Sequence, residues 1–184
     1  MFHEAIQDLE PQSLWESFSQ VTQIPRPSKK EEKIAQFIRE VALNHDLPCK
    51  QDNAGNIVIT KPATSGMEER PIIVLQSHMD MVCEKNEGKE HDFEKDPIMI
   101  KREGDWIMAE GTSLGADNGI GVAAALAIMK SDAVIHGPLE FLFTTDEETG
   151  LTGAMALQSD FVKGRFLLNL DSEDEGTLFV GGAG

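Results

Sequence analysis

Six residues in this sequence are of the types that bind divalent metal ions or move protons, and each lies just after an apolar run or in a glycine-rich turn. They are His78 and Asp80 after PIIVLQS, Asp117 within GADNGIG, Glu147 and Glu148 after EFLFTTD, and Asp171 after FLLNL. One imidazole with several carboxylate oxygens suits zinc or a similar divalent ion. A site built from oxygens alone would favour magnesium or calcium, so His78 decides the choice. Asp80 is two residues past His78, where it can hold the second ring nitrogen.

Each of these residues, taken singly, has an ordinary explanation. A lone histidine after a strand is usually hydrogen-bonded or exposed, an aspartate before a helix is usually an N-cap, and paired glutamates usually begin a solvated helix. GADNGIG has neither the glycine spacing nor the lysine of a phosphate-binding loop. Together they require another explanation, because carboxylates that converge in a partly dry cleft raise one another's pKa and destabilise the fold unless a cation lies among them.

The residue pattern also predicts the elements that position this set. Apolar residues at helical spacing predict helices over 13–24, 28–44, 121–130 and 152–160. Ser28 and Glu31 have the form of a capping box for the second helix. Short apolar runs between turn residues predict strands over 55–60, 71–77, 138–145 and 165–170, and the charged stretch 83–105 is expected to be a surface excursion.

Apolar strands that alternate with helices predict an α/β domain, with a mostly parallel sheet flanked by helices on both faces. In open sheets of this kind, reactive groups gather beyond the carboxyl ends of the strands. The histidine and the acids follow those strand ends or open the buried helix, so we expect them to converge at one edge of the sheet.

Composition limits the classes of partner. The 184 residues include 32 acidic and 16 basic side chains, a formal net charge of −16, which argues against nucleic acid and anionic membrane as partners. Two cysteines are too few for a disulfide framework. The sequence has no basic start followed by an apolar signal core and no apolar run of about 20 residues, so a cytoplasmic location is expected.

Four motifs carry a family resemblance. SHMDMV, GTSLGADNGIG, DEETG and NLDSEDEG, in this order and at these intervals, resemble the co-catalytic zinc metallopeptidases, a family that includes aminoacylases and carnosinases. The resemblance extends over essentially the whole chain and is strongest to the subgroup that cleaves aminoacyl-histidine (Xaa-His) dipeptides. It implies the catalytic fold of a zinc exopeptidase and hydrolysis of short peptides.

The resemblance also implies a role for each site residue. His78 and Asp171 would bind one zinc ion, Asp117 would bridge two ions, and Glu148 would bind the other. Glu147 would be the general base and Asp80 would assist catalysis. Two zinc ions are implied, with Co²⁺ or Mn²⁺ as possible substitutes, together with a cis peptide bond between Asp117 and Asn118.

One departure from the family pattern leaves alternatives open. The family takes a further metal-binding histidine from beyond an inserted lid or dimerisation domain, and no other histidine here stands in a matching motif. We therefore expect residues 1–184 to be the N-terminal part of a catalytic domain, without the lid and the C-terminal part, and a homodimer for the full-length protein. The alternatives are an inactive metal-binding fragment, a tripeptidase and an N-acyl amino acid deacylase. A doubly wound small-molecule binding module would leave the acids without a partner.

Overall fold

The computed structural model describes residues 4–172 and 176–181, so residues 173–175 of the NLDSEDEG motif lie outside the described residues. After a short 3-10 helix at Glu4–Ile6, the helices are α1 (Gln12–Thr22), α2 (Glu32–Asn44), α3 (Ala116–Lys130) and α4 (Thr152–Ala156). The strands are β1 (Cys49–Gln51), β2 (Ile57–Lys61), β3 (Ile73–His78), β4 (Ile100–Glu103), β5 (Trp106–Ala109), β6 (Leu139–Thr144) and β7 (Phe166–Asn169).

Five of the strands form the main sheet, in the order β1-β2-β6-β3-β7. The three strands that lead to the candidate site are parallel to one another, since β3 pairs in parallel with β6 and with β7. Towards the other edge, β2 runs antiparallel to both of its neighbours, β1 and β6. The predicted α/β class is confirmed, with a central sheet flanked by helices and its parallel pairings where the site residues follow the strands.

The core lies between this sheet and the helices α1, α2 and α3. Strand β6 is buried at all six positions because it is central in the sheet, and Phe141 and Phe143 point into the core. They pack with Ile38 of α2 and Leu126 of α3, each with no exposed surface. Burying one such side chain contributes roughly 1.5–3 kcal/mol, so this layer holds the helices against the strands that carry the site.

The charged stretch 83–105 contains more structure than the sequence analysis predicts. Strands β4 and β5 form a separate antiparallel hairpin. The turn between them is Gly104–Asp105, and Gly104 adopts the positive φ of 61° that glycine tolerates. Ile98 and, in β4, Ile100 are buried in a second apolar cluster, against which Ile107 and Ala109 of β5 pack. Within the described residues, no helix is both long enough and apolar enough to cross a bilayer.

Candidate metal centre

Strand register brings the predicted site residues to one edge of the sheet. His78, at the end of β3, pairs with Thr144 at the end of β6, and Gln76 pairs with Asn169 at the end of β7. The chain segments that leave these three parallel strands therefore start side by side. Asp117 arrives from the start of α3, where φ and ψ at positions 117 and 118 depart from helical values.

The ring of His78 is the centre of the group. Its Nε2 atom lies 3.0 Å from an Asp117 oxygen, 3.7 Å from an Asp171 oxygen and 3.9 Å from a Glu147 oxygen. Donor atoms of His78, Asp117 and Asp171 all lie within 4.8 Å of one another, and so do those of His78, Glu147 and Glu148. The structure thus brings together the four predicted ligands and the predicted base.

Asp80 lies behind the ring and is fully buried. One of its oxygens is 3.2 Å from Nδ1 of His78, on the side away from the other acids, and accepts the backbone N–H of Glu147 at 3.0 Å. The other accepts the Ser28 hydroxyl at 2.7 Å and the backbone N–H of Glu148 at 3.2 Å. Asp80 therefore fixes both the orientation of the imidazole and the turn that presents the paired glutamates.

The predicted capping box is wrong. Helix α2 begins after Glu31 with no side-chain cap, because the Ser28 hydroxyl is bound to Asp80. One carboxylate oxygen of Glu31 accepts the backbone N–H groups of Lys29, at 2.8 Å, and of Asp146, at 3.0 Å. Glu31 thus supports the turn that carries the paired glutamates. No local pattern signals this role, because Asp146 is distant along the chain.

The peptide bond between Asp117 and Asn118 is cis, as the resemblance implies. The Asn118 side chain is buried, and its amide group donates to the Leu170 carbonyl at 3.0 Å and to an Asp171 carboxylate oxygen at 2.8 Å. The amide thereby connects the α3 segment to the segment after β7. The motif predicts a role for the preceding residue, Asp117, but carries no signal for this contact of Asn118.

The pKa values reflect the crowding of charge. Burial alone would lower the pKa of His78, but hydrogen bonds to Asp80 and Asp117 and the charge of Asp171 outweigh it and raise the pKa to about 9. Burial raises the pKa of Glu147, of Glu148 and of Asp171, and repulsion from neighbouring carboxylates acts in the same direction. The cluster therefore holds more negative charge than its surroundings stabilise.

This donor set fits a divalent metal ion. One imidazole nitrogen and carboxylate oxygens from separate chain segments are the ligand types that zinc and similar ions prefer. The hydrogen bond from Nδ1 of His78 to Asp80 leaves Nε2 directed at the acids, as in metal-binding histidines. A cation at this position would relieve the repulsion that raises the carboxyl pKa values. The described residues thus include groups that could hold a metal.

Comparison with known proteins identifies the family. The family model described as peptidase family M20/M25/M40 matches residues 74–178, which is more than half of the chain and includes every predicted site residue. The chain belongs to this family. The match confirms the resemblance to a metallopeptidase family that the four motifs indicate, and the chain is called the M20 chain below.

Individual relatives of the M20 chain agree with this assignment. It is 48% identical to the cytosol non-specific dipeptidase of Escherichia coli (strain K12), over 97% of this chain and 37% of that protein. It is 50% identical to the aminoacylhistidine dipeptidase structure from Vibrio alginolyticus, with a TM-score of 0.92, over 95% of this chain and 36% of that one. A Staphylococcus aureus tripeptidase structure is 28% identical, with a TM-score of 0.73, over 88% of this chain and 43% of that one. The M20 chain spans less than half the length of each.

Proposed function

We propose that residues 1–184 form the metal-binding part of a dinuclear zinc dipeptidase that hydrolyses short peptides, with Xaa-His dipeptides as the favoured substrates. The observation that carries the proposal is the convergence of His78, Asp117 and Asp171, whose donor atoms lie within 4.8 Å of one another. Three separate chain segments supply these donors, and family membership supports a hydrolytic use for them.

In this proposal His78 and Asp171 would hold one ion, Glu148 would hold the other, and Asp117 would contribute to both. When bound, the ions would polarise the scissile carbonyl and lower the pKa of a nucleophilic water. Asp80, 3.2 Å from Nδ1 of His78, would hold the proton on that nitrogen and leave Nε2 free for the metal once the ring loses its second proton.

Glu147 would be the general base. Its carboxylate is partly exposed and lies 3.9 Å from Nε2 of His78, and burial raises the pKa of Glu147 above its ordinary value, which makes the carboxylate a stronger proton acceptor. It would take a proton from the attacking water and pass it to the leaving amine. Glu147 and Asp171 also line a cleft of about 200 Å³ whose walls include Leu142, Leu151 and Leu167, so a substrate in that cleft would lie beside the base.

The substrate class is proposed from the relatives. Both the Escherichia coli and the Vibrio alginolyticus proteins are named as dipeptidases, and the second as acting on aminoacyl-histidine. Tripeptides form a second class, because the Staphylococcus aureus relative is a tripeptidase. Three statements stay predictions: that the full-length protein is a homodimer, that it is cytoplasmic, and that residues 1–184 are the N-terminal part of a catalytic domain.

Metal content tests the site. Elemental analysis after equilibration with zinc should find bound metal in the wild-type chain and in Glu147→Ala, because the base is not a ligand. Asp117→Ala should lose metal, because it removes the bridging carboxylate. Asp160→Ala, which changes an exposed aspartate, is the matched control and should resemble wild type. Equal metal content in Asp117→Ala and wild type would contradict the assigned ligand set.

Hydrolysis rates test the function separately. In the zinc-loaded full-length protein, Xaa-His dipeptides should be cleaved faster than tripeptides and acetylated amino acids. Glu147→Gln should reduce kcat by about 10²–10⁴-fold while metal content stays unchanged, since general-base catalysis contributes about that much. Near-wild-type turnover by Glu147→Gln would refute the base assignment. Metal binding without hydrolysis of any of the three substrate types would favour the non-catalytic alternative.

A further inference from the structure

Arg26 places a positive charge inside the domain, next to the candidate metal centre. The residue is only 2% exposed. Burial lowers the pKa of its guanidinium to about 10, against the opposing effect of nearby negative charges, of which Asp80 is the strongest, so the group is charged at pH 7. A buried charge destabilises the fold unless hydrogen bonds and opposite charges compensate it. The groups that hydrogen-bond to the guanidinium therefore indicate its structural role.

The guanidinium donates to main-chain oxygens of two separate segments. Its Nη1 atom donates to the carbonyls of Met79, at 3.1 Å, and of Asp80, at 2.8 Å. Its Nη2 atom donates to the carbonyl of Gly115. The first two carbonyls belong to the segment that follows His78, and the third belongs to the turn that leads into Asp117. One planar group thus joins the two segments whose side chains meet at 3.0 Å in the site.

Two glycines provide the space that this contact needs. A Cβ atom added at Gly115 would lie 2.5 Å from Nη2 of Arg26, and one added at Gly119 would lie 2.6 Å from the same atom. Next to the arginine, Pro27 forms a parallel backbone bridge with Met81. The arginine segment therefore runs alongside the segment after β3, and any larger residue at either glycine would displace the guanidinium.

We propose that Arg26 is a positioning residue that sets the spacing between His78 and Asp117 by connecting the backbone segments behind them. The inference rests on the proposed function, because it takes those two residues as metal ligands. A lysine would keep the charge, but its single nitrogen cannot reproduce the planar fork that reaches carbonyls on two segments. Removal of the fork should therefore loosen the site even where the fold survives.

Binding of Co²⁺ tests this role in the 184-residue chain. The variants are Arg26→Met, Arg26→Lys and Gly119→Ala, with Arg39→Met as the matched control, because Arg39 is an exposed arginine. Affinity is measured by titration, ligand geometry by the visible d–d absorption of bound Co²⁺, and folding by circular dichroism. Arg26→Met should weaken binding about 10–100-fold, the usual effect of losing a group that orients a ligand, and should change the absorption bands. Arg26→Lys should show a smaller loss.

Gly119→Ala keeps the arginine and its charge but intrudes on Nη2, so it should shift affinity and spectrum in the same direction as Arg26→Met. If Arg26→Met fails to fold, Gly119→Ala still tests whether the contacts of Arg26 position the metal ligands. Unchanged Co²⁺ affinity and spectrum in the folded Arg26 and Gly119 variants, even with lower melting temperatures, would overturn the positioning role and leave the metal site intact. If neither wild type nor Arg39→Met binds Co²⁺, the proposed function fails, and the positioning role fails with it.

Discussion

Replacement of Asp80 by asparagine should destabilise the metal-free protein, because the native carboxylate uses both oxygens. One oxygen contacts Nδ1 of His78 and the backbone N–H of Glu147, and the other accepts from Ser28 and from the backbone of Glu148. An asparagine has one acceptor oxygen and an NH₂ group, so two of these four hydrogen bonds to the carboxylate would be lost, and at least one backbone N–H would face another donor. The side chain is fully buried, and water cannot replace the lost bonds.

The size of the effect follows from the same contacts. Burial alone would raise the pKa of Asp80, but hydrogen bonds from His78, from the backbone of Glu147 and from Ser28 outweigh it and lower the pKa to about 2. A carboxyl whose pKa falls to about 2 from its ordinary value contributes about 2–3 kcal/mol to folding at pH 7. Loss of two hydrogen bonds to a charged acceptor, at about 1.5–3 kcal/mol each, gives about 3–6 kcal/mol. We expect a loss of about 3 kcal/mol.

Urea unfolding in EDTA, followed by circular dichroism, measures this difference. Asp80→Asn should lower the unfolding midpoint with little change in m, while Asp160→Asn, an exposed control, should not. Because the folded pKa is depressed, the contribution of the carboxylate is complete above about pH 4 and is lost as the pH falls through about 2. The two proteins should therefore converge in stability over that range. A difference below about 1 kcal/mol at pH 7 would refute the reasoning.

Two further predictions concern metal binding and the helix that carries Asp117. The raised pKa of His78, about 9, keeps the imidazole protonated at pH 7, so metal binding should release a proton from His78. Zinc affinity should therefore increase about tenfold per pH unit up to about pH 9. Calorimetry in buffers of different ionisation enthalpy would detect the released proton. A pH-independent zinc affinity would contradict the protonation of His78. Lys61→Met should lower the free energy of unfolding by about 2 kcal/mol, because a charged donor is lost, whereas Lys50→Met, at an exposed position of β1, should not. The Lys61 ammonium donates to three carbonyls at the C-terminal end of α3, those of Ile128, Met129 and Ser131.

The helices, strands and candidate ligands were predictable where the signal is local. The apolar stripe of α2, with Ile34 and Ile38 among its members, matches a helix buried on one face. The mostly apolar β6, in which Phe141, Leu142 and Phe143 are consecutive, matches a central strand. The candidate ligands follow strand ends or open a helix, and parallel strands place their carboxyl ends together, so convergence could be expected before any distance was known.

Other features depend on contacts that no local pattern records. Ser28 and Glu31 match a capping box in sequence, yet their partners Asp80 and Asp146 lie 52 and 115 positions away. Burial of Arg26 depends on carbonyls that are equally remote. The β4–β5 hairpin differs from these cases, because its two-residue Gly-Asp turn is a local hairpin signal, whereas the charges around it favour a surface excursion.

Anomalous scattering from zinc-soaked crystals tests the central claim most directly, because it locates the ion rather than its consequences. The account predicts a zinc peak about 2.0–2.1 Å from Nε2 of His78 and about 2.0–2.2 Å from carboxylate oxygens of Asp117 and Asp171. The contrary result would be zinc bound only elsewhere on the acidic surface at saturating concentration, with Nε2 of His78 still hydrogen-bonded to Asp117.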